Sequence, residues 1–167
     1  MASLVLSCGV LVMNRQRELL MGHATGTPRW DIPKGVGEPD ETPLQTAVRE
    51  AREETGLAFE ADDLLDVGRF AYLRAKDLHL HAALIERIDP LRCICSTHYV
   101  DARGRDRPEM DGHAWVGFEA VSNRAGKSLT GLLSSRVSLD AVLSDLLERE
   151  QRLGPARWRW ATDRPTG

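Results

Sequence analysis

Glu50, Glu53 and Glu54 lie in the run GVGEPDETPLQTAVREAREETGL, which spans Gly35 to Leu57. On an α-helix advancing about 100° per residue, these three carboxylates fall within one arc of roughly 100°. Two of them, Glu50 and Glu54, stand at i and i+4, where like charges repel by a few tenths of a kcal/mol even when exposed. A divalent cation turns that repulsion into binding energy. Mg²⁺ takes oxygen ligands, keeps several waters and shares its shell with substrate phosphates; Mn²⁺ accepts the same donors. The alternative for the three glutamates is a solvated acidic helix face, and the surrounding residues decide between the two.

Those residues describe a helix with defined ends. Thr42 reads as the N-cap, Pro43 as the first helical residue, and Gln45 as the partner that completes a capping box. Gly56 reads as the stop, in the left-handed conformation that ends a helix. Leu44, Ala47, Val48 and Ala51 recur at the helical period and form the stripe to be buried. Upstream, WDIPKG (Trp30 to Gly35) is extended, because Pro33 excludes the helical region for the residue before it. Gly35 and Gly37 let the backbone come close to a ligand.

Seven residues hold fixed spacing in the run: Gly35, Glu41, Arg49, Glu50, Glu53, Glu54 and Gly56. From ordinary residue frequencies, such a match arises by chance about once in 10⁸ starting positions. The stretch resembles the Nudix box, GX5EX7REUXEEXGU with U a bulky aliphatic, and Ala51 is small for its place. The resemblance implies an α/β (α+β) fold, a sandwich with a mixed central sheet between helices, over roughly residues 3 to 153. It also implies divalent-metal-dependent hydrolysis of a nucleoside diphosphate linked to another moiety. WDIPKG looks like the lead-in of dinucleoside polyphosphate hydrolases and some other nucleotide polyphosphatases. A second segment, Pro108-Glu109-Met110-Asp111-Gly112-His113-Ala114-Trp115-Val116, resembles one shared by bacterial RNA pyrophosphohydrolases and related dinucleoside polyphosphate hydrolases.

By that resemblance the metal ligands are Glu50, Glu53, Glu54, Glu109 and the carbonyl of Lys34. Glu50 or Glu53 takes the proton of the attacking water, with Glu50 preferred, and Arg49 orients a carboxylate among Glu41, Glu50 and Glu53. Gly35, Glu41 and Gly56 shape the motif. Lys34, Tyr72 and Lys76 are the candidates for substrate contact; Tyr72 falls near the place of a base-packing tyrosine, and hairpin packing is its competing role. The substrate expected is a small-molecule nucleotide, first a dinucleoside polyphosphate and second the triphosphorylated 5′ end of RNA. A non-catalytic nucleotide sensor would show eroded box glutamates, and here all are present.

At 167 residues the chain suits one domain, taken as 1–153 with a C-terminal tail at 154–167. The net charge of −3 lacks the basic surplus of a dedicated nucleic-acid binder and argues against a DNA partner. The tail interleaves Arg with Trp, a pattern that could stack on bases but at a short terminus more often docks on the domain or is disordered. No apolar stretch reaches the length of a membrane span. Cys8, Cys93 and Cys95 are odd in number and lack zinc-like partners, so a reducing cytoplasm is expected. Oligomeric state carries no signal.

Strands are expected at 3–13, 18–23, 64–72 and 78–88, a charged loop at 101–107, and a packing helix at 138–153 built on Leu139, Val142, Leu143, Leu146 and Leu147. His79 and His81 alternate onto one strand face, and two histidines without a third partner read as surface or packed residues more often than as ligands.

Overall fold

A computed structural model describes residues 4–162 of the chain. Its centre is strand β1 (Val5–Met13), whose apolar run is buried on both faces. Cys8, Val10 and Val12 point to one side, Leu11 and Met13 to the other. A strand covered twice needs apolar residues at successive positions, which is why no alternation is visible there. β2 (Glu18–Ala24) follows across the Asn14 to Arg17 turn, β3 (Trp30–Asp31) pairs with β2, and β4 (Lys34–Val36) lies antiparallel to β1. A Cβ at Gly9 would come within 2.8 Å of both the Lys34 Cβ and the Pro33 carbonyl, so this glycine permits β4 to lie so close.

Helix α1 (Pro43–Thr55) leads into β5 (Leu57–Phe59), and the hairpin of β6 (Leu65–Leu73) and β7 (Lys76–Leu84) comes next. A smaller hairpin, β8 (His98–Val100) with β9 (Asp106–Pro108), precedes β10 (Met110–Gly117). Helices α2 (Val121–Arg124), α3 (Lys127–Ser135) and α4 (Leu139–Leu153) and strand β11 (Trp158–Trp160) complete the order. The main sheet runs β10-β2-β1-β7-β6, with β3 on β2 and β4 on β1. Only the β1–β7 pair in it is parallel, so the sheet is mixed, as expected. α1 covers one face through Ala47 and Ala51. α3 and α4 cover the other through Leu129, Leu132, Val142, Leu143 and Leu146, giving the sandwich.

Several boundaries depart from the sequence reading for local reasons. The β6–β7 turn is Arg74-Ala75, with Ala75 at φ 61°, so Lys76 already belongs to β7 and pairs with Val5 and Leu73. β7 ends at Leu84, four residues before the expected limit, and the chain then leaves the sheet to place Ile88 beneath Trp115, whose indole N–H donates to the Ile88 carbonyl at 2.9 Å. Leu147 faces solvent while the other expected leucines of α4 are buried. On α1, Leu44 and Val48 are half-buried, and Glu50 and Glu54 are among the residues that go fully inside.

The tryptophans of the tail dock on the domain. β11 pairs antiparallel with β5, Trp158 opposite Phe59 and Trp160 opposite Leu57. Trp160 is buried, with Trp158 edge-on to it at 5.4 Å and the Arg92 guanidinium 4.6 Å over its ring. Residues 163–167, the end of the tail, lie outside the described residues. Trp160→Ala should therefore cost about 3–5 kcal/mol of stability, read as a lower urea midpoint with little change in slope. A midpoint equal to wild type would show that β11 contributes no packing.

Candidate active site

The ends of α1 form as their residues require. Thr42 Oγ1 accepts the Gln45 N–H at 3.2 Å and Gln45 Oε1 accepts the Thr42 N–H at 2.9 Å, closing the capping box. Gly56 takes φ 82° and donates its N–H to the Arg52 carbonyl. Beyond it, the C-terminal carbonyls are held by distant segments. Ser96 donates its N–H to Glu53 O (2.7 Å), Ile94 to Thr55 O (3.1 Å), and His113 Nε2 to Glu54 O (2.7 Å). A carbonyl only accepts, so His113 carries its proton on Nε2.

Arg49 is the hub of the exposed side of the site. It donates from Nε and Nη2 to the two oxygens of Glu41, at 2.7 and 2.9 Å. Nη1 reaches Glu50 Oε1 at 2.9 Å and Glu53 Oε2 at 3.2 Å, and Nη2 reaches the Val36 carbonyl at 3.1 Å. Glu41 also accepts from the Glu38 N–H and the Thr46 hydroxyl. The Arg49 bonds, helped by those two donors, hold the Glu41 carboxyl down to about 2. Glu41 and Arg49 thus tie the loop after β4 to the helix.

The other two acids lie deeper. Glu50 and Glu54 are buried, 8% and 4% exposed, and close enough for their carboxyls to share a hydrogen bond. Burial, and next the charge of Glu50, push Glu54 up to about 9. Burial likewise raises Glu50, against the pull of Arg49. A Cβ on Gly35 would fall on the Glu50 carboxylate, so glycine is required there. The Lys34 N–H donates to Glu54 Oε2 at 3.3 Å. Two carboxylates in a dry site, with glutamate oxygens as the donor set and a bare glycine beside them, fit a hard divalent cation.

Lys34 also connects the acids to a cavity. Its ammonium is 2.9 Å from Asp31 and 5.9 Å over the Tyr72 ring. Burial works against that charge, but Asp31 more than offsets it and holds Lys34 above the ordinary lysine range. The cavity, about 260 Å³, is lined by Lys34, Tyr72 and Lys76 together with Arg29, Trp30 and Lys127. All three substrate candidates from the sequence meet there. Trp30, Arg29 and Lys127 are additions: Trp30 opens the WDIPKG segment and was legible by position, whereas Lys127 comes from α3 and carried no signal.

Glu109 stands between β9 and β10, exposed, with its carboxylate accepting from Thr97 Oγ1 at 3.2 Å. Its N–H donates to the Thr97 carbonyl, and the adjacent Ser96 is the residue that binds Glu53 O. The fold therefore brings Glu109 beside the segment that closes α1, bonded to Thr97 and not to the helix acids. Of the charged stretch 101–107, residues 101–105 form the tip of the β8–β9 hairpin, where Asp101 takes up Arg105 at 2.9 Å, whereas Asp106 and Arg107 pair with Val100 and Tyr99 and belong to β9.

Burying an acidic Glu54 disfavours the folded state once its charge must be suppressed. The cost is absent below the usual carboxylate range and grows as pH rises toward about 9. Near neutral pH without divalent cations, Glu54→Gln should raise the melting temperature by ~3–8 °C. Mg²⁺ should stabilise the wild type more than this variant. A variant that melts below wild type in metal-free buffer would contradict the reading.

Comparison with known proteins gives the following. The NUDIX domain profile matches residues 4–132. An uncharacterised 17.7 kDa protein of Enterobacteria phage T4 is 38% identical over 122 residues, 66% of this chain and 81% of its own. An RNA pyrophosphohydrolase of Marinomonas sp. (strain MWYL1) is 28% identical over 122 residues, 66% of this chain and 73% of its own. Among solved structures, the E. coli dihydroneopterin triphosphate pyrophosphohydrolase aligns with a TM-score of 0.60 at 16% identity, over 84% of this chain and 95% of its own. A C. elegans Ap4A hydrolase binary complex aligns at 0.55 and 20% identity, over 84% and 98%. At such identities the two structures share the fold.

Proposed function

The chain belongs to the NUDIX family, a hydrolase of nucleotide phosphoanhydrides, and from that membership we propose that its substrate is a dinucleoside polyphosphate. The observation that carries this reading is Lys34, whose backbone sits on Glu54 while its ammonium enters a cavity walled by Trp30 and Tyr72. Two aromatic rings suit a base, and Arg29, Lys34, Lys76 and Lys127 suit the phosphates that follow it. The Ap4A hydrolase among the structures of the same fold supports the choice.

The family uses divalent metal ions such as Mg²⁺. We assign its hold to Glu50, Glu53, Glu54 and the Lys34 carbonyl, with Glu109 joining from its loop on exchanging Thr97. When bound, the ion neutralises charge on the anhydride and lowers the pKa of water. The chain does the rest. Arg49 keeps Glu41, Glu50 and Glu53 in register, so that the acids are positioned before substrate arrives. One of Glu50 and Glu53 accepts the proton of the in-line water, and Glu50, whose carboxylate lies against the bare Gly35, is our choice. Lys34 and the other cations stabilise the leaving phosphate.

A second reading, removal of pyrophosphate from RNA 5′ ends, is favoured by the RNA pyrophosphohydrolases among the relatives. Among the described residues no helix is long and apolar enough to cross a membrane, and the cysteines are free, in keeping with the cytoplasm.

Assay of the purified protein with Mg²⁺ against dinucleoside polyphosphates, mononucleotides and 5′-triphosphorylated RNA should give the highest kcat/KM for the first class; a preference for RNA would replace it with the second reading. Glu53→Gln should lower turnover by at least ~10² with the fold intact, and wild-type turnover would remove Glu53 from the site. Tyr72→Ala should raise KM by ~10- to 100-fold with kcat little changed, as loss of one stacked base predicts. An unaltered KM would place the base elsewhere.

A further inference from the structure

The sequence left His79 and His81 as a pair lacking a third partner, and the fold supplies one. Asp66 of β6 lies opposite His81, and its Oδ1 is 2.9 Å from His79 Nε2. One ligand atom from each of the three lies within 4.8 Å of the others. The two imidazoles stack at 4.8 Å between centroids, 9° from parallel.

Asp66 reaches this face through a break in the sheet. Across the hairpin Asp66 pairs with His81 and Arg69 with His79, so three steps on β6 match two on β7. In a regular strand, residues 66 and 69 would point to opposite faces. The bulge at Val67-Gly68, with Gly68 at φ 132°, turns both onto the histidine face. Arg69, the cation so delivered, is occupied by Asp77 at 2.8 Å.

An independent feature points to a missing ligand. His81 is 3% exposed, yet its Nδ1 is buried with no hydrogen-bond partner. Leaving a ring nitrogen dry and unbonded costs free energy comparable to a lost hydrogen bond. Burial, and next His79, also hold its imidazole below the ordinary histidine range, which favours the form with a lone pair to give.

We propose that Asp66, His79 and His81 form a second metal site, separate from the glutamates of α1, for a borderline divalent cation of the Zn²⁺, Co²⁺ or Ni²⁺ class. Two imidazoles and one carboxylate, with solvent completing the shell, suit these ions and disfavour Mg²⁺, which takes oxygen. Metal–ligand bonds of about 2.0–2.2 Å need the three atoms nearer to each other than they now stand. Rotation of Asp66 and His79, both reachable from solvent, closes that gap; the bond between them gives way to two bonds to the ion. An ion there clips β6 to β7 beyond what the hairpin hydrogen bonds supply.

The test is titration of the full-length protein with Co²⁺ in excess Mg²⁺, which keeps the glutamates occupied, followed by visible d–d absorption. Wild type should take up about one equivalent with the intense bands of a low-coordinate nitrogen-containing site. His79→Gln and Asp66→Asn, at positions less buried than His81, should each weaken binding by at least ~10- to 100-fold. Both should retain Mg²⁺-dependent hydrolysis and a wild-type circular dichroism spectrum. Crystals soaked in Zn²⁺ should show an anomalous peak among the three side chains. Absence of Mg²⁺-resistant Co²⁺ binding in the wild type would overturn the proposal. So would binding that survives intact in both variants.

Discussion

Carboxylates on successive turns of one helix repel, and drying their surroundings makes the repulsion worse. Here the conflict is resolved by division. Glu41 and Glu53 stay near solvent under the Arg49 guanidinium, whereas Glu50 and Glu54 go inside, where burial raises both carboxyls. Arg49 is always charged and has five donors in a planar fork, so one side chain can satisfy three acids and a carbonyl together. A lysine offers no such fork. The neighbouring glycine, the loop before the helix and the strand beneath it are all arranged around the resulting cluster.

Precision in that cluster comes from elements far away in sequence. The last carbonyls of α1 would otherwise need solvent or a cap. Ile94, Ser96 and His113 occupy them instead, so the C-terminal turn that carries Glu53 and Glu54 is fixed from outside the helix. The same 94–97 segment holds Glu109 through Thr97. β4 is seated against β1 where Gly9 leaves room, which places the Lys34 amide on Glu54. Close backbone approaches, more than side-chain packing, set the geometry here.

How much of this was legible in the residues depends on range. α1, its capping box and its stop obey local rules, and they stand where Thr42, Gln45 and Gly56 placed them. β1 and β2 were legible from a long apolar run and a short polar turn. β10 was hidden, because its pairing with β2 depends on Gly22 making space for the Met110 side chain, a match no window of either strand contains. The facing of Asp66 was hidden too: counting by two along β6 fails at the bulge, and only the paired strand reveals it. The cavity gathers Lys34, Tyr72 and Lys127 from three elements, so its lysine from α3 was beyond any local pattern.

The pairing of β5 with β11 sets the order in which the molecule can be completed. Leu57 comes just after the Gly56 cap of α1, and its partner Trp160 comes roughly a hundred residues later. A contact of such long range is entropically slow to close and cannot form while the ribosome still holds its second half. During synthesis the flank of α1 therefore waits with an open strand edge, and the acidic cluster is buttressed only after β11 has left the ribosome. A protease or chaperone that reads exposed strand edges meets this one before the finished enzyme exists.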